Sequence, residues 1–482
     1  MENVKEIKEK YHNAINEKLN DAQLRTNLSS VMDTLITNRK NLINNRFLDW
    51  ETLRDKGRDL KIKNLGKLDE LLVRFEENCI KNGFTVHWAS STEDANEIIL
   101  GLMKEKGINK ILKGKSMASE EIHLNSYLKK KGLNPIETDL GELIIQLLDE
   151  PPVHIVVPAI HKNRYQIGEI FQKKLNAPLE SEPEKLNEIA RTHLRKEFKE
   201  FKMGLSGVNF GIANEGAIWL LENEGNGRMS TTACDVHVAV CGIEKVIETF
   251  EEASILNALL IPSATGVSVT CYNNIISGPR KEGEKDGPKE VHLILLDNHR
   301  SNMLKDPDYY KSLSCIRCGT CLNHCPVYTQ IGGHAYLSTY PGPIGEVISP
   351  QLFGLNKFSP MLDLCSLCGR CTEVCPVRIP LAELIRDLRS ERVGQGHKTV
   401  YGTDDSTINK KEVKMMKKFS DIATNPSKWR STLSLAGTFG NLGRFVAPLI
   451  PGLKVWTKYR SYPEINGGLH KKVSKMDGVK YE

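Results

Sequence analysis

The sequence predicts an α/β protein with a helical N-terminal arm, followed by a cysteine-rich, mainly α-helical domain. Three observations carry that reading. Short apolar runs alternate with amphipathic segments between residues 84 and 300, the pattern of a parallel sheet with helices on its faces. The first 83 residues show charged helical periodicity and no strand-like cluster. Eight of the twelve cysteines fall between residues 315 and 375. At 482 residues the chain is too long for a single core. Its 40% hydrophobic and 26% charged residues describe an ordinary globular protein.

Residues 1–83 form the arm, expected to pack on a neighbour. Residues 84–300 form the α/β domain, with strands expected at Thr85–Trp88, Lys110–Leu112 and Val153–Val157. Helices are expected between them, at Thr92–Lys106 and Ser119–Lys131, and a charged helical excursion covers Lys162–Phe201. Strands return at Val208–Leu221, Val236–Val240, Val267–Ile276 and Val291–Leu296, with glycine-rich turns at 204–211 and 225–227. Residues 301–400 form the cysteine domain, closed by an amphipathic helix at Ile379–Arg392. Residues 401–482 are a tail with a basic helix and three candidate docking aromatics, Trp429, Trp456 and Tyr459.

The start of the chain is too charged for a signal peptide, and no run of 18 uncharged apolar residues exists. No transmembrane span is expected, and the location expected is cytoplasmic. The net charge of +6 is mild. Its basic tail residues suit a solvated helix face first, and peripheral contact with an anionic membrane or an acidic partner second. No nucleic-acid-binding element is visible.

The cysteines carry the chemistry. Cys315, Cys318, Cys321 and Cys325 precede Pro326, and Cys365, Cys368, Cys371 and Cys375 precede Pro376. Each run is C-x2-C-x2-C-x3-C-P, the bacterial ferredoxin spacing for a [4Fe–4S] cluster, in which the fourth cysteine serves the neighbouring cluster. This assigns Cys315, Cys318, Cys321 and Cys375 to one cluster, and Cys365, Cys368, Cys371 and Cys325 to the other. A structural zinc would use two C-x2-C pairs and leave the third cysteine of each loop idle. The radical-generating triplet C-x3-C-x2-C does not occur. Two fully cysteine-ligated clusters are electron carriers. Cys79, Cys234, Cys241 and Cys271 lack pairing spacing and are expected as buried free thiols.

In the α/β domain, polar turns are expected where strands end, the edge at which open α/β sheets bind ligands. They are Lys113-Gly114-Lys115-Ser116, Thr138–Glu142, Asn209, Asn214–Gly216, Asn223–Arg228 and Ser263–Gly266. The first suits an anion, although it lacks the Walker spacing. No dinucleotide fingerprint is present, so no hydride acceptor is visible, and a two-electron oxidation is expected to be shared with another subunit.

On these residues the sequence resembles the LutB/LldF/YkgF family of lactate-utilisation iron–sulfur proteins. The resemblance rests on Lys115–Asn125, Glu137–Glu142, Pro158–Lys162, Asn223–Arg228, both cysteine runs and Tyr340–Gly345. It is looser at Ser230–Asp235 and in the tail. It implies that 84–300 is a LUD domain, similar in fold to ribose-5-phosphate isomerases and CoA transferases. It also implies two companion subunits, one with Cys-Cys-Gly motifs and one a lone LUD domain, in a complex converting L-lactate to pyruvate.

Candidates for the pocket are Lys115, Thr138, Glu142, His161, Glu215, Asn226 and Arg228, with His161, Glu215 and Arg228 the catalytic candidates. Arg228 is the first choice for pairing a carboxylate. Alternatives are another hydroxy-acid such as glycolate, a heterodisulfide-reductase-like subunit, a redox sensor, or a CoA-transferase-like enzyme with Glu215 as nucleophile and structural clusters.

Overall fold

The periodicity of the arm folds as four helices, α1 (Val4–Asn20), α2 (Ala22–Arg46), α3 (Trp50–Leu65) and α4 (Leu68–Lys81). The computed structural model describes residues 4–393, 410–446 and short stretches beyond them (449, 454, 457, 460–462 and 473–478). Asp21 and Asp49 break the helical run and cap the next helix, accepting the N–H groups of Leu24 and Thr52. The arm is not a separate body. Leu24, Leu28, Trp50 and Phe75 share one continuous core with Val153, Ala239, Leu293, Tyr328 and Tyr340. Residues 4–393 thus belong to one compact unit, and the described residues from 410 on belong to a second.

Ten strands are found among the described residues. They are β1 (Phe84–Ala89), β2 (Lys110–Lys113), β3 (Asn134–Glu137), β4 (Met203–Gly207) and β5 (Phe210–Ile212). The others are β6 (Ala217–Glu222), β7 (Val236–Gly242), β8 (Val246–Ile247), β9 (Tyr272–Ile276) and β10 (Glu290–Leu296). Six form a parallel sheet in the order β1-β10-β7-β4-β2-β3. β7 is buried along its whole length and β10 along all but its first residue, as strands covered on both faces must be. The other four form a mixed sheet, β8-β5-β6-β9.

Four expectations change. Val153–Val157 is not a strand. Its ladder is replaced by a side chain: His154 Nδ1 accepts the N–H groups of Val156 and Val157 at 3.0 and 3.2 Å. The same ring's Nε2 donates to Asn323 Oδ1 at 2.9 Å, docking the segment on the cysteine domain. Part of the supposed turn 204–211 is the interior strand β4, whose Gly204 lets Ser230 pass; an added Cβ would lie 1.8 Å from Ser230 O. Val208–Leu221 is a hairpin of two strands. Ser263–Thr265 ends a helix (Phe250–Thr265), not a strand, and only Tyr272–Ile276 of the following run pairs.

The helical excursion folds as Arg164–Leu175 and Pro183–Glu200. Of the four spare cysteines three are buried, but Cys271, just before β9, is exposed. In the second unit, helices Lys410–Ala423 and Pro426–Phe439 set Phe419 edge-on to Trp429 at 6.3 Å. Trp456 and Tyr459 lie outside the described residues. No helix among the described residues is long and apolar enough to cross a membrane.

Candidate functional site

Both cysteine runs fold the same way. Arg317 (φ 62°) and Leu367 (φ 53°) take the left-handed conformation before the second cysteine, and Gly319 (φ 76°) and Gly369 (φ 79°) take it after. These turns bring backbone N–H groups onto sulfur. Arg317 N–H lies 3.4 Å from Cys315 Sγ, and Leu367 N–H lies 3.3 Å from Cys365 Sγ. The fourth cysteines repeat the device, with Tyr328 N–H 3.4 Å from Cys325 Sγ and Ile379 N–H 3.3 Å from Cys375 Sγ. The arm braces the last cysteine: Arg39 donates to the Val374 carbonyl and Arg54 to the Cys375 carbonyl, both at 3.1 Å.

The thiols of the two runs lie close enough to feel one another: Cys318 is influenced by Cys315 and Cys375, Cys371 by Cys365, Cys325 and Cys368, and Cys321 by cysteines of both runs, Cys371 included. Among the described residues, no three cysteine sulfurs lie within 4.8 Å of one another. Sulfurs around a single zinc stand about 3.8 Å apart, given Zn–S bonds of about 2.3 Å. Burial pushes Cys325 and Cys375 up to about 11 and Cys371 up to about 12, a proton that iron coordination displaces.

The two loops differ in their surroundings. Ile316, Cys318 and Cys321 are buried, and a Cβ on Gly319 would touch His154 and Val156 at 3.4 Å. In the other loop Leu367 is 41% exposed, Cys368 is exposed, and a Cβ on Gly369 would meet open space.

The carboxyl ends of β2, β3, β4, β7 and β10 open into a cavity of about 280 Å³. Gly114–Ser116, Asp139, Ser206–Asn209, Gly242, Glu244, Lys245 and Arg300 come from this edge, and Arg317 and Tyr340 close it from the cysteine domain. A buried ion network builds that wall. Arg300 forks onto Glu121 at 2.7 and 2.8 Å and reaches Glu244 at 2.6 Å. Glu244 also pairs with Arg317 at 3.3 Å, Arg317 stacks over the Tyr340 ring, and the Tyr340 hydroxyl donates to Glu121 at 2.5 Å. Burial works against charge on Glu244, but Arg300, Arg317 and the neighbouring lysines hold its carboxyl down at about 2.

Of the candidate pocket residues, Lys115 and Asn226 line this cavity. Lys115 is held by the Val156 carbonyl at 2.5 Å, and Asn226 donates to Thr138 Oγ1 at 3.1 Å. Thr138 is buried and donates to the Lys113 carbonyl at 2.7 Å, tying β2 to the turn after β3. Glu142 is buried outside the cavity lining, its carboxyl pushed well up by burial and by Glu137 and Glu120.

Arg228 is exposed, lies over the Tyr272 ring and does not line the cavity. The turn before it is no anion site either: Glu222 already accepts the N–H groups of Gly227 and Arg228 at 2.6 and 2.5 Å. Glu215 sits in the β5–β6 turn, where its carbonyl accepts from Asn82 of the arm, away from the cavity. His161 lies in a second cavity, with Glu150 and His334. Sequence reasoning named none of Glu121, Glu244, Arg300, Arg317 and Tyr340 as site residues, since they pair across long separations; Glu121 and Tyr340 lay in stretches that carried the family resemblance, and Arg317 inside a cysteine run.

Three family models match the chain. The sequence matches the LUD domain over residues 72–296, the 4Fe-4S dicluster domain over 311–379, and the lactate utilisation protein B C-terminal family over 387–479. The last match covers the tail, expected from the sequence to be only loosely similar to the family. The uncharacterized electron transport protein YkgF of Escherichia coli is 39% identical over 458 residues, 94% of each chain. Lactate utilization protein B of Macrococcus caseolyticus is 39% identical over 461 residues, again 94% of each. That of Geobacillus kaustophilus is 41% identical over 422 residues, 86% of each.

Proposed function

The chain belongs to the lactate utilisation protein B family, and from that premise we propose that it is the iron–sulfur electron-transfer subunit of a system oxidising L-lactate to pyruvate. Cys315, Cys318, Cys321 and Cys375 hold one [4Fe–4S] cluster, and Cys365, Cys368, Cys371 and Cys325 hold the other. When bound, such clusters supply storage for single electrons. The chain's own residues decide what each set faces. The observation that carries the reading is Arg317, which belongs both to the first cysteine loop and to the wall of the LUD cavity. One cysteine set is thereby presented to a substrate-side cavity and the other, through Leu367 and Cys368, to the outside. The companions are the Cys-Cys-Gly protein and the single-LUD protein of the same system, and the exposed loop is where one of them meets this chain.

Glu215 lies outside the cavity, so nothing in its position favours the CoA-transferase-like alternative. The test uses protein purified anaerobically with its companion subunits. Adding L-lactate should bleach the absorbance at about 400 nm, develop a reduced [4Fe–4S] EPR signal and form pyruvate. Loaded clusters that respond only to another hydroxy-acid change the substrate. Clusters inert to every hydroxy-acid overturn the reading.

A further inference from the structure

We propose that Glu150, His161 and His334 form a binding site for a divalent transition-metal ion of the zinc type, separate from the cysteine sites. Among the described residues they are the one group of three metal-ligating side chains whose ligand atoms all lie within 4.8 Å of one another. They converge from distant places: Glu150 and His161 flank the segment that docks on the cysteine domain, and His334 comes from the insert between the two cysteine runs.

The arrangement is that of ligands already oriented. The His161 side chain is only 9% exposed, its Nδ1 has no partner and so offers its lone pair, and its Nε2 donates to Glu150 Oε2 at 2.6 Å, a proton that direct carboxylate–imidazole ligation at that edge would displace. The His334 ring is edge-on to it at 5.0 Å. His334 Nε2 donates to the Pro151 carbonyl at 2.7 Å, which leaves Nδ1 as the lone pair available to a metal. Lys162 holds the other carboxylate oxygen, Glu150 Oε1, at 3.0 Å, so Oε2 is the one turned to the imidazoles. Two imidazoles and one carboxylate are the protein ligands of zinc sites that keep a fourth position open. The cavity around them, about 300 Å³, has room for that fourth ligand. Lys18 and Lys162 oppose a cation there, whereas Asp21 and Asp149 in the same cavity favour it.

The test uses protein with its clusters loaded, so that cysteines do not capture zinc. It is equilibrated anaerobically with zinc sulfate, desalted and analysed for metals. About one zinc per chain is expected, removable by EDTA without loss of the absorbance at about 400 nm, and a higher melting temperature with zinc bound. His334→Gln, at a partly buried position, should weaken zinc binding roughly tenfold or more, and His161→Gln should do the same. No retained zinc in the wild type, or equal retention in both variants, overturns the proposal. Neither result bears on lactate-dependent reduction of the clusters, which is measured separately.

Discussion

Residues 315–321 and 365–371 share a cysteine spacing, a pair of left-handed residues and an N–H contact to the first sulfur. Their neighbours are different. The first loop is pressed between His154, Val156 and the ion network of Glu121, Arg300, Glu244 and Arg317. The second carries Leu367 and Cys368 at the surface. Even the nearby carboxyls are opposed. Glu244, beside the first loop, is ionised by its guanidinium partners. Glu346, beside Cys365 and Cys325, has no ion pair among the described residues, and burial raises its carboxyl well above the usual range. A local motif thus sets which ligands exist, while packing sets what each ligand set can meet.

The contrast is broken most severely at Arg300. Arg300→Met strands two buried carboxylates, and should cost about 3–5 kcal/mol in denaturant unfolding. Equivalent loss from an exposed pair such as Arg370–Glu373 would show that the network has no special weight.

The carboxyls come next. Glu244→Gln should cost about 3 kcal/mol at neutral pH, because Arg317 and Arg300 lose a buried partner. Glu346→Gln should cost little or stabilise there. The signs with pH are opposite. Glu244 has a folded value near 2 against 4.5 unperturbed, so its contribution is complete above 4.5 and is lost as pH falls towards 2. Glu346 is raised above 4.5, so its contribution is complete below that value and is lost as pH rises through its folded value. Melting curves of both variants and wild type across about pH 3–9 would reveal the two slopes. Parallel slopes would remove the distinction.

Smaller effects sharpen the comparison. Gly369→Ala should cost about 1–2 kcal/mol from its left-handed backbone alone. Gly319→Ala should cost more, since its new methyl also presses on His154 and Val156; thermal melts rank the two. Leu367→Gln should change stability by no more than about 0.5 kcal/mol. It should nevertheless slow electron transfer to the companion subunits about tenfold, the loss of one apolar anchor. An unchanged transfer rate would move the docking face elsewhere.

Much was readable from local order. The arm's helices, the parallel sheet, the helical excursion and the eight cysteines all follow from periodicity or spacing, because each is written within a few turns or strands of chain. Val153–Val157 misled because a β-branched apolar run has the same composition whether it pairs as a strand or is folded back by one histidine. Arg228 misled because a guanidinium after a glycine turn looks available, and only the fold shows Glu222 capping that turn.

By itself, then, the sequence determined most of the element types and the spacing of the eight cysteines, since backbone preference and ligand spacing are short-range. Tertiary structure alone decided the rest. The crossing of the fourth cysteines is stated by the motif, but which loop is covered depends on His154, 169 residues from its partner Asn323. The cavity wall joins Glu121 to Arg300 across 179 residues. Charges so distant in sequence leave no periodic trace, and only burial in one low-dielectric core makes them partners.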